Sequence, residues 1–470
     1  MVARKSAAAT WLAILSLVGC TVGPDYHLPQ EAMVRSPGAQ APFVSAQEVT
    51  LASDPPDHWW KLFDDPKLDE LVQRALQSNL ELRVAEANLR RADALLAEAR
   101  AGEEIDSGAD AATYWTQQSP EAVLQHVRPH QHQIFNIGIG ASYDLDLFGG
   151  IRRGIEAAGA DAEAAVAARD LVRVNVAAAT AQAYSQLCNS GHQIEVLHQL
   201  IAVQADEVRL HQALVSYGRA PQYEQERRQE TLTQIQARLP QLEAFQKNAA
   251  IRLTTLSGLP PSQLDRDLLN CHEPLRLQAP LPVGDGRSLL QRRPDIRAAE
   301  RHLAGATARI GVSTAALYPD IKLGAAIGST GGVTDAFGPL TNRFNVGPAV
   351  TWNFHQSAIR ARIAQSEAQA QGSLAAFDAT VLRALREVET SLNIYNAALA
   401  RRADLERSYE SAARVATRTT QLRDGGKVGG LAALDAQRNS LAAEQALAAT
   451  DADVNATQIA VFLALGGGWT

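Results

Sequence analysis

The residue types that most often carry out catalysis or bind metals form no recognisable set in this sequence. No His-Glu-x-x-His pair, nucleophile elbow, phosphate-binding loop or Cys-x-x-Cys motif occurs among its 470 residues. His126, His130 and His132 lie close together in a polar stretch, and a transition metal could bind there. No carboxylate or cysteine completes that set, which favours a solvent-exposed loop. We therefore expect no enzyme, no metal site and no dissociable cofactor.

Cys20 is the residue whose position indicates a chemical modification. Arg4 and Lys5 precede an apolar stretch that is too short to span a bilayer and is typical of an export signal. The stretch ends in Leu17-Val18-Gly19-Cys20, which resembles the site at which bacterial lipoproteins are cleaved and acylated. We expect diacylglycerol and an N-acyl chain on Cys20, since several acyl chains together anchor a protein stably. The alternative is an ordinary signal peptide with a chance cysteine.

The composition after residue 19 excludes some partners and leaves two cysteines. Removal of Arg4 and Lys5 takes the formal net charge from −7 to −9, which disfavours nucleic-acid binding. No run of eighteen apolar residues occurs, so a chain that crosses a bilayer must do so with strands. We expect Cys188 and Cys271 to be buried and unpaired, because isolated cysteines this far apart in sequence are more often so.

The elements that must position any functional residue are written twice in the chain. Three segments of the first half match segments of the second half in the same order, at a spacing of a little over 200 residues. The matched segments begin at Leu71 and Leu289, at Phe135 and Phe344, and at Tyr217 and Gly425. Duplication of one structural unit is the economical explanation.

Strict alternation of apolar and polar residues predicts a strand after Phe135 and another after Phe344. A second candidate strand precedes each of them, near Ile105 and near Ile321, which makes two hairpins and four strands. In a transmembrane barrel one face meets lipid and the other a wet lumen, although a soluble half-buried sheet gives the same alternation. We place Asp144 and Asp146 on the lumen face. Four strands cannot enclose water, since the smallest such barrels need about eight, so several chains must contribute.

Long helices follow each hairpin. The stretch from Gly154 to Tyr217 contains no proline and would reach about 95 Å at 1.5 Å per residue, and a similar stretch runs from Ile359 to Arg423. Return helices with an apolar spacing of three and four residues indicate coiled-coil packing. We expect Pro240 to kink the first of them, because its ring clashes with the preceding turn.

These features together resemble the TolC-type outer membrane factors, and specifically their lipoprotein branch of OprM/NodT-like efflux proteins. The motifs that carry the resemblance are Val22-Gly23-Pro24-Asp25-Tyr26, Trp59-Trp60-Lys61-Leu62-Phe63, Arg292-Arg293-Pro294-Asp295-Ile296 and Leu434-Asp435-Ala436-Gln437. Their order, more than any single motif, is similar to the family, and the match covers essentially the whole chain. Thr21 is not the aspartate that signals inner-membrane retention in this lipoprotein class, which indicates the outer membrane.

The resemblance implies an α+β membrane protein built from a duplicated unit. Four strands per protomer contribute to a trimeric twelve-stranded outer-membrane β-barrel, which continues into a long periplasmic α-helical barrel with a mixed equatorial domain. The expected segments are residues 1–19 as signal peptide, 20–66 as lipid-anchored N-terminal segment and equatorial region, 67–270 as first repeat, 271–286 as equatorial linker and 287–470 as second repeat.

The function that the resemblance implies is a passive conduit. We expect the outer-membrane exit duct of a tripartite efflux pump for small toxic compounds or drugs, lipid-anchored in the outer membrane with a periplasmic extension. Its expected partners are two further copies of the chain, a periplasmic adaptor protein, an inner-membrane pump and outer-membrane lipid. An exit duct for type I protein secretion and a lipid-anchored soluble scaffold stay open as alternatives. The sequence identifies neither the substrates nor the pump.

Candidate site residues are carried over by position in the motifs. Leu431 and Asp435 correspond to the family's narrowest periplasmic ring, where Leu431 would form an apolar gate and Asp435 would attract cations. The alternative is that Leu431 packs the helix start and Asp435 is solvated. The helix tips expected to dock the adaptor contain Tyr217, Gly218, Asp424, Gly425, Gly426 and Lys427. Ala432 stands where some relatives have a second acid.

Overall fold

The computed structural model describes residues 21–46, 50–121, 124 and 126–467, so Cys20 and the predicted export signal lie outside the described residues. The chain divides into two compact units, each assembled from separated segments. Unit 1 takes Met1–Pro29, Leu89–Ala165 and Ala299–Phe377, and unit 2 takes Gln30–Asn88, Val166–Ala298 and Asp378–Thr470. None of the described helices combines the length and the apolar character needed to cross a membrane.

Strands and helices alternate in the order that the duplication predicts. The strands are β1 (Thr50–Leu51), β2 (Asp106–Thr116), β3 (His132–Asp144), β4 (Leu281–Pro282), β5 (Asp320–Gly332) and β6 (Asn342–Thr351). The helices are α1 (Pro37–Gln40), α2 (Pro66–Ser78), α3 (Leu80–Ala101), α4 (Gly150–Ser216), α5 (Gln222–Gln236), α6 (Leu239–Leu256), α7 (Gly286–Arg292), α8 (Pro294–Ala315), α9 (Gln356–Asp424) and α10 (Gly430–Ala464).

The two predicted hairpins are confirmed, and they form one antiparallel sheet in unit 1. Its strand order is β2-β3-β5-β6, so the hairpins join through β3 and β5. Ile139 lies opposite both Ala109 of β2 and Ile327 of β5, which fixes the register of the three strands. Because side chains alternate along a strand, this register brings residues of like character onto the same face in all four strands.

The two long predicted helices are confirmed as α4, with 67 residues, and α9, with 69 residues. Helix α4 begins four residues before the predicted Gly154, because the carboxylate of Asp146 accepts hydrogen bonds from the N–H groups of Ile151 and Arg152 in its first turn. The return helix breaks after Gln236 and resumes at Leu239, since Pro240 has no N–H group to continue the hydrogen-bond ladder.

The core of unit 2 includes the Trp-Trp motif. Trp59 is fully buried and stacks on Phe462 of α10, with ring centroids 4.7 Å apart, and Trp60 is buried beside it. The indole N–H of Trp60 donates to Asp69 at 2.9 Å, so its one polar atom is satisfied. Aromatic burial on this scale contributes several kcal/mol, on the order of 3–5 for removal of one such side chain.

Cys188 and Cys271 are joined in a disulfide in unit 2, so the expectation that they are unpaired is wrong. Cys188 lies on α4 and Cys271 opens the linker after α6, and their Cα atoms are 4.7 Å apart. The 83-residue separation hid this proximity, because nothing local in the sequence indicates that the return helices bring the linker back to α4. Disulfides of this kind form and persist in oxidising compartments.

Arg293 holds three elements of unit 2 together from a buried position. Its guanidinium donates to Asp295 at 2.7 Å, to Glu387 of α9 at 2.8 Å and to the carbonyl of Ala464 at 2.7 Å. Burial opposes ionisation, but the two carboxylates outweigh it and raise the pKa of Arg293. The Arg-Arg-Pro-Asp motif therefore serves the fold of this unit.

Candidate functional site

The sheet of unit 1 has one apolar face and one polar face. On the apolar face of β3 and β6 lie the large side chains Phe135, Ile137, Ile139, Phe344, Val346 and Val350. Within these four fully described strands, every Asp, Lys and Arg lies on the opposite face: Asp106, Asp110, Asp144, Asp320, Lys322 and Arg343. Such complete segregation is the pattern of a sheet with hydrocarbon on one side and water on the other.

Asp144 lies on the polar face at the end of β3, and its predicted position facing a lumen stays a prediction. Lys322 is directly opposite it on β5, and the two form an ion pair with Nζ 2.9 Å from Oδ1. The prediction that Asp146 shares this strand is wrong, because β3 ends at Asp144. Asp146 instead caps α4 and pairs with Arg152, so a local helix start overrides the continuation of the alternating pattern.

The two helix tips have the same backbone geometry. In each turn the last three N–H groups donate to carbonyls four, three and five residues earlier, which is the Schellman arrangement. The donors are Tyr217, Gly218 and Arg219 in the first turn, and Gly425, Gly426 and Lys427 in the second. Gly218 has a φ of 68° and Gly426 a φ of 69°, a left-handed conformation that favours glycine. The equivalence predicted from sequence therefore extends to individual hydrogen bonds.

Both tips are exposed in the chain. Tyr217 has 80% of its surface accessible, which is high for a large aromatic side chain. Asp424 is the last residue of α9 and accepts a hydrogen bond from its neighbour Arg423 at 2.7 Å. An exposed aromatic at a rigid turn is suited to docking a partner, and the adaptor contact stays a prediction.

Leu431 and Asp435 lie in the first turns of α10. Gly429 precedes the helix and has no side chain to cap it. Leu431 is half-buried, while the carboxylate of Asp435 is 52% exposed and pairs with Arg438 three residues later at 2.5 Å. Their role as an aperture stays a prediction, since both the gate and the packed-and-solvated alternative are compatible with these positions in the chain.

A buried carboxylate that the sequence pattern did not predict lies beside this helix start. Glu207 of α4 is 2% exposed and forms an ion pair with Arg228 of α5, and its second oxygen lies 3.9 Å from Nε of Arg438. One acid thus faces two guanidinium groups from two other helices. The contact depends on how three helices pack, so no periodicity within one helix could predict it.

His211 lies one turn further along α4 and is also buried. Its Nε2 lies 3.0 Å from Oε2 of Glu224 on α5, which ties the two helices of the first tip together. Among the described residues, no group of three His, Cys, Asp or Glu side chains could hold a metal ion.

A protein-family model described as outer membrane efflux protein matches residues 71–259 and 286–467, most of the chain. The chain belongs to the outer membrane efflux protein family.

Individual relatives agree with this membership of the outer membrane efflux family. The pyoverdine export outer membrane protein OpmQ of Pseudomonas putida is 28% identical over 467 residues, covering 97% of this chain and 96% of its own. The toluene efflux pump outer membrane protein TtgC of Pseudomonas putida is 27% identical over 482 residues, with 96% and 93% covered. The solved structure of the outer-membrane channel OprN has 33% identity and a TM-score of 0.85, covering 96% of this chain and all of that one.

Proposed function

We propose that this chain is the outer-membrane exit duct of a tripartite efflux pump, which passively exports small toxic compounds or drugs. The single observation that carries the proposal is the sheet with every charge on one face and large apolar side chains on the other. Membership of the outer membrane efflux family supports the same function. The relatives' names describe export of pyoverdine and toluene, which favours efflux over type I protein secretion.

In this proposal three copies form the conduit. The four-stranded sheet is too small to enclose water, and three copies supply twelve strands, a size that leaves a wet lumen. The long helices α4 and α9 with their return helices form the periplasmic extension, and the tips dock the adaptor protein that connects to the inner-membrane pump. Lipid on Cys20 assists anchoring beside the barrel. The chain carries out no reaction, and transport energy comes from the pump.

A deletion strain tests the transport function. Loss of the gene should lower the minimal inhibitory concentration of at least one toxic compound in a susceptibility panel, and the gene on a plasmid should restore it. No change for any compound, with secretion of a protein lost instead, would favour the type I alternative.

Fractionation tests the membrane assembly. A Cys20→Ser protein should remain in the outer-membrane fraction, because the strands hold it there. It should migrate as a trimer in detergent gel electrophoresis when the sample is not heated. Its appearance as a soluble periplasmic monomer would contradict the barrel and support a lipid-anchored scaffold.

A further inference from the structure

One row of residues crosses all four strands of the sheet with opposite charges at its ends. Asp110 of β2 lies opposite Gly138 of β3, Gly138 lies opposite Gly328 of β5, and Gly328 lies opposite Arg343 of β6. The row is separate from the ion pair of Asp144 and Lys322, which is three rows away toward the helices. At about 6.8 Å for every two residues along a strand, that separation is about 20 Å.

Hydrogen bonds hold Arg343 against the wall of the sheet. Its Nη2 donates to Oδ1 of Asn136 at 2.9 Å, and its Nε donates to Oγ1 of Thr330 at 2.9 Å. Asn136 in turn donates from Nδ2 to Oδ2 of Asp110 at 2.6 Å. The network joins all four strands and fixes the position of the guanidinium, which lowers the entropy lost when a solute binds it.

The two glycines make room for this arrangement. A Cβ atom on Gly138 would lie 3.0 Å from Oδ1 of Asp110 and 3.1 Å from Nη2 of Arg343. A Cβ atom on Gly328 would lie 2.4 Å from the carbonyl oxygen of Ile137, closer than the backbone of β3 allows. The middle of the row therefore has no side chains, and the charged groups at its ends stay accessible from the polar face.

Among the residues that the structure describes, Arg343 forms no direct ion pair. Its hydrogen-bond partners, Asn136 and Thr330, are uncharged side chains, whereas Lys322 pairs with both Asp144 and Asp320. These hydrogen bonds use Nε and Nη2, and the Arg343 side chain as a whole is exposed. A guanidinium with unused donors binds carboxylate and phosphate groups well.

We propose that Arg343 is a specificity-determining residue of the conduit, which attracts the anionic group, carboxylate or phosphate, of an exported solute to the lumen wall. The inference rests on the proposed function, because it needs the polar face to line the lumen. Three copies would place three such groups in a ring, and rings of charged side chains set the charge preference of pores. Asp110, at the other end of the row, acts in the opposite sense on the same solute.

Charged thiol reagents applied from outside measure the local potential. Asn345→Cys places a reporter on the polar face of β6, one row from Arg343 and with no reliance on the periplasmic aperture. In the full lipidated chain, with Cys188 and Cys271 joined, the reporter is the free thiol. The rate ratio of anionic to cationic methanethiosulfonate reagents should fall about threefold to tenfold when Arg343→Gln is added, and Arg343→Lys should largely retain it. An unchanged ratio in Arg343→Gln would overturn the proposal.

Two further variants keep the test decisive. Asp110→Asn should raise the same ratio, so a failure of Arg343→Gln to assemble still leaves a measurable effect of opposite sign, and no change would again count against the row. Val346→Cys places a thiol on the apolar face and should react with neither charged reagent. If Val346→Cys reacts and Asn345→Cys does not, the face assignment and the proposed function both fail. If Asn345→Cys reacts with an unaltered ratio, only the inference about Arg343 fails.

Discussion

Arg438 approaches Glu207 to 3.9 Å, so the start of α10, which carries Leu431 and Asp435, faces a buried carboxylate on α4. Arg438 also pairs with Asp435, and Glu207 also pairs with Arg228. The residues predicted to form the aperture are thereby connected through charges to the first helical hairpin of the same chain.

Removal of the buried carboxylate should loosen that connection. Glu207→Gln leaves Arg228 and Arg438 without their shared anion, and a broken buried ion pair costs about 3–5 kcal/mol. We expect a lower thermal midpoint and a higher single-channel conductance in planar bilayers. Asp404→Asn is the matched control, since its ion pair with Arg407 is exposed and worth no more than about 1 kcal/mol. Equal behaviour of the two variants would show that Glu207 holds nothing in place.

The aperture itself is tested by truncation of its two residues. If Leu431 and Asp435 line the narrowest ring, Leu431→Ala should widen it and Asp435→Ala should remove three carboxylates, so each variant should raise ion conductance. The Asp435→Ala channel should also lose part of its cation preference, measured as a reversal potential in a salt gradient. Unchanged conductance in both variants would favour the alternative, in which Leu431 packs the helix start and Asp435 is solvated.

The disulfide predicts a large difference in stability. Closing a loop over a separation of 83 residues removes about 4.5 kcal/mol of chain entropy from the unfolded state. Cys188→Ser with Cys271→Ser should therefore lower the thermal midpoint by several degrees, and a reductant should affect the parent protein but not the double variant. A reductant effect of equal size on both proteins would point to a cause other than this bond.

Glu444 predicts a pH dependence of stability. Burial raises its pKa, His192 opposes the shift and Glu195 adds to it. A carboxyl whose folded pKa is raised binds more protons folded than unfolded, so stability is present below its ordinary pKa and lost as pH rises through the folded value. At pH 7, the Glu444→Gln protein should have a higher melting temperature than the parent. The difference between the two melting temperatures should vanish near pH 4. A difference in melting temperature of the same size at both pH values would contradict this. Glu410 is exposed, so Glu410→Gln, the control, should show no such difference.

Arg153 predicts how the N-terminal segment is held in unit 1. Its buried guanidinium donates to the carbonyls of Val22 and Gly23 and to Asp25. Arg153→Gln should expose residues 21–29 to proteinase K, detected by mass spectrometry of the released peptide. The neighbouring Arg152→Gln should not, because Arg152 contacts Asp146 instead. Equal protection in both variants would assign the anchoring of this segment to other contacts.

Sequence patterns predicted the strands, the long helices and the helix tips, because these features depend on residues that are close together in the chain. Alternation located β3 and β6, and the absence of proline located α4 and α9, because faces and ladders repeat within one element. Glycine at 218 and 426 marked the tips, because a left-handed turn favours it. The even spacing of the duplicated segments then gave the order of the elements.

What the sequence concealed depends on contacts between distant elements. Cys271 meets Cys188 only because the return helices bring the linker back to α4. From the sequence alone, Glu207 is an ordinary acid on a helix surface. Its two arginine neighbours come from α5 and α10, which only the folded structure brings beside it. In the sequence, Asp146 continues the alternation of β3. In the structure, its carboxylate instead accepts hydrogen bonds from the N–H groups at the start of α4, which have no partner within the helix.

The strand order of the sheet has a consequence for how copies of the chain can join. Its two free edges, β2 and β6, run in opposite directions because every neighbouring pair between them is antiparallel. A copy related by rotation presents its own β2 antiparallel to β6, so each added copy continues the same alternation without a parallel pair. Backbone pairing is therefore equally satisfied for two, three or four copies. In the proposed assembly, the number of subunits would therefore be set by features other than strand pairing, such as the curvature of the sheet.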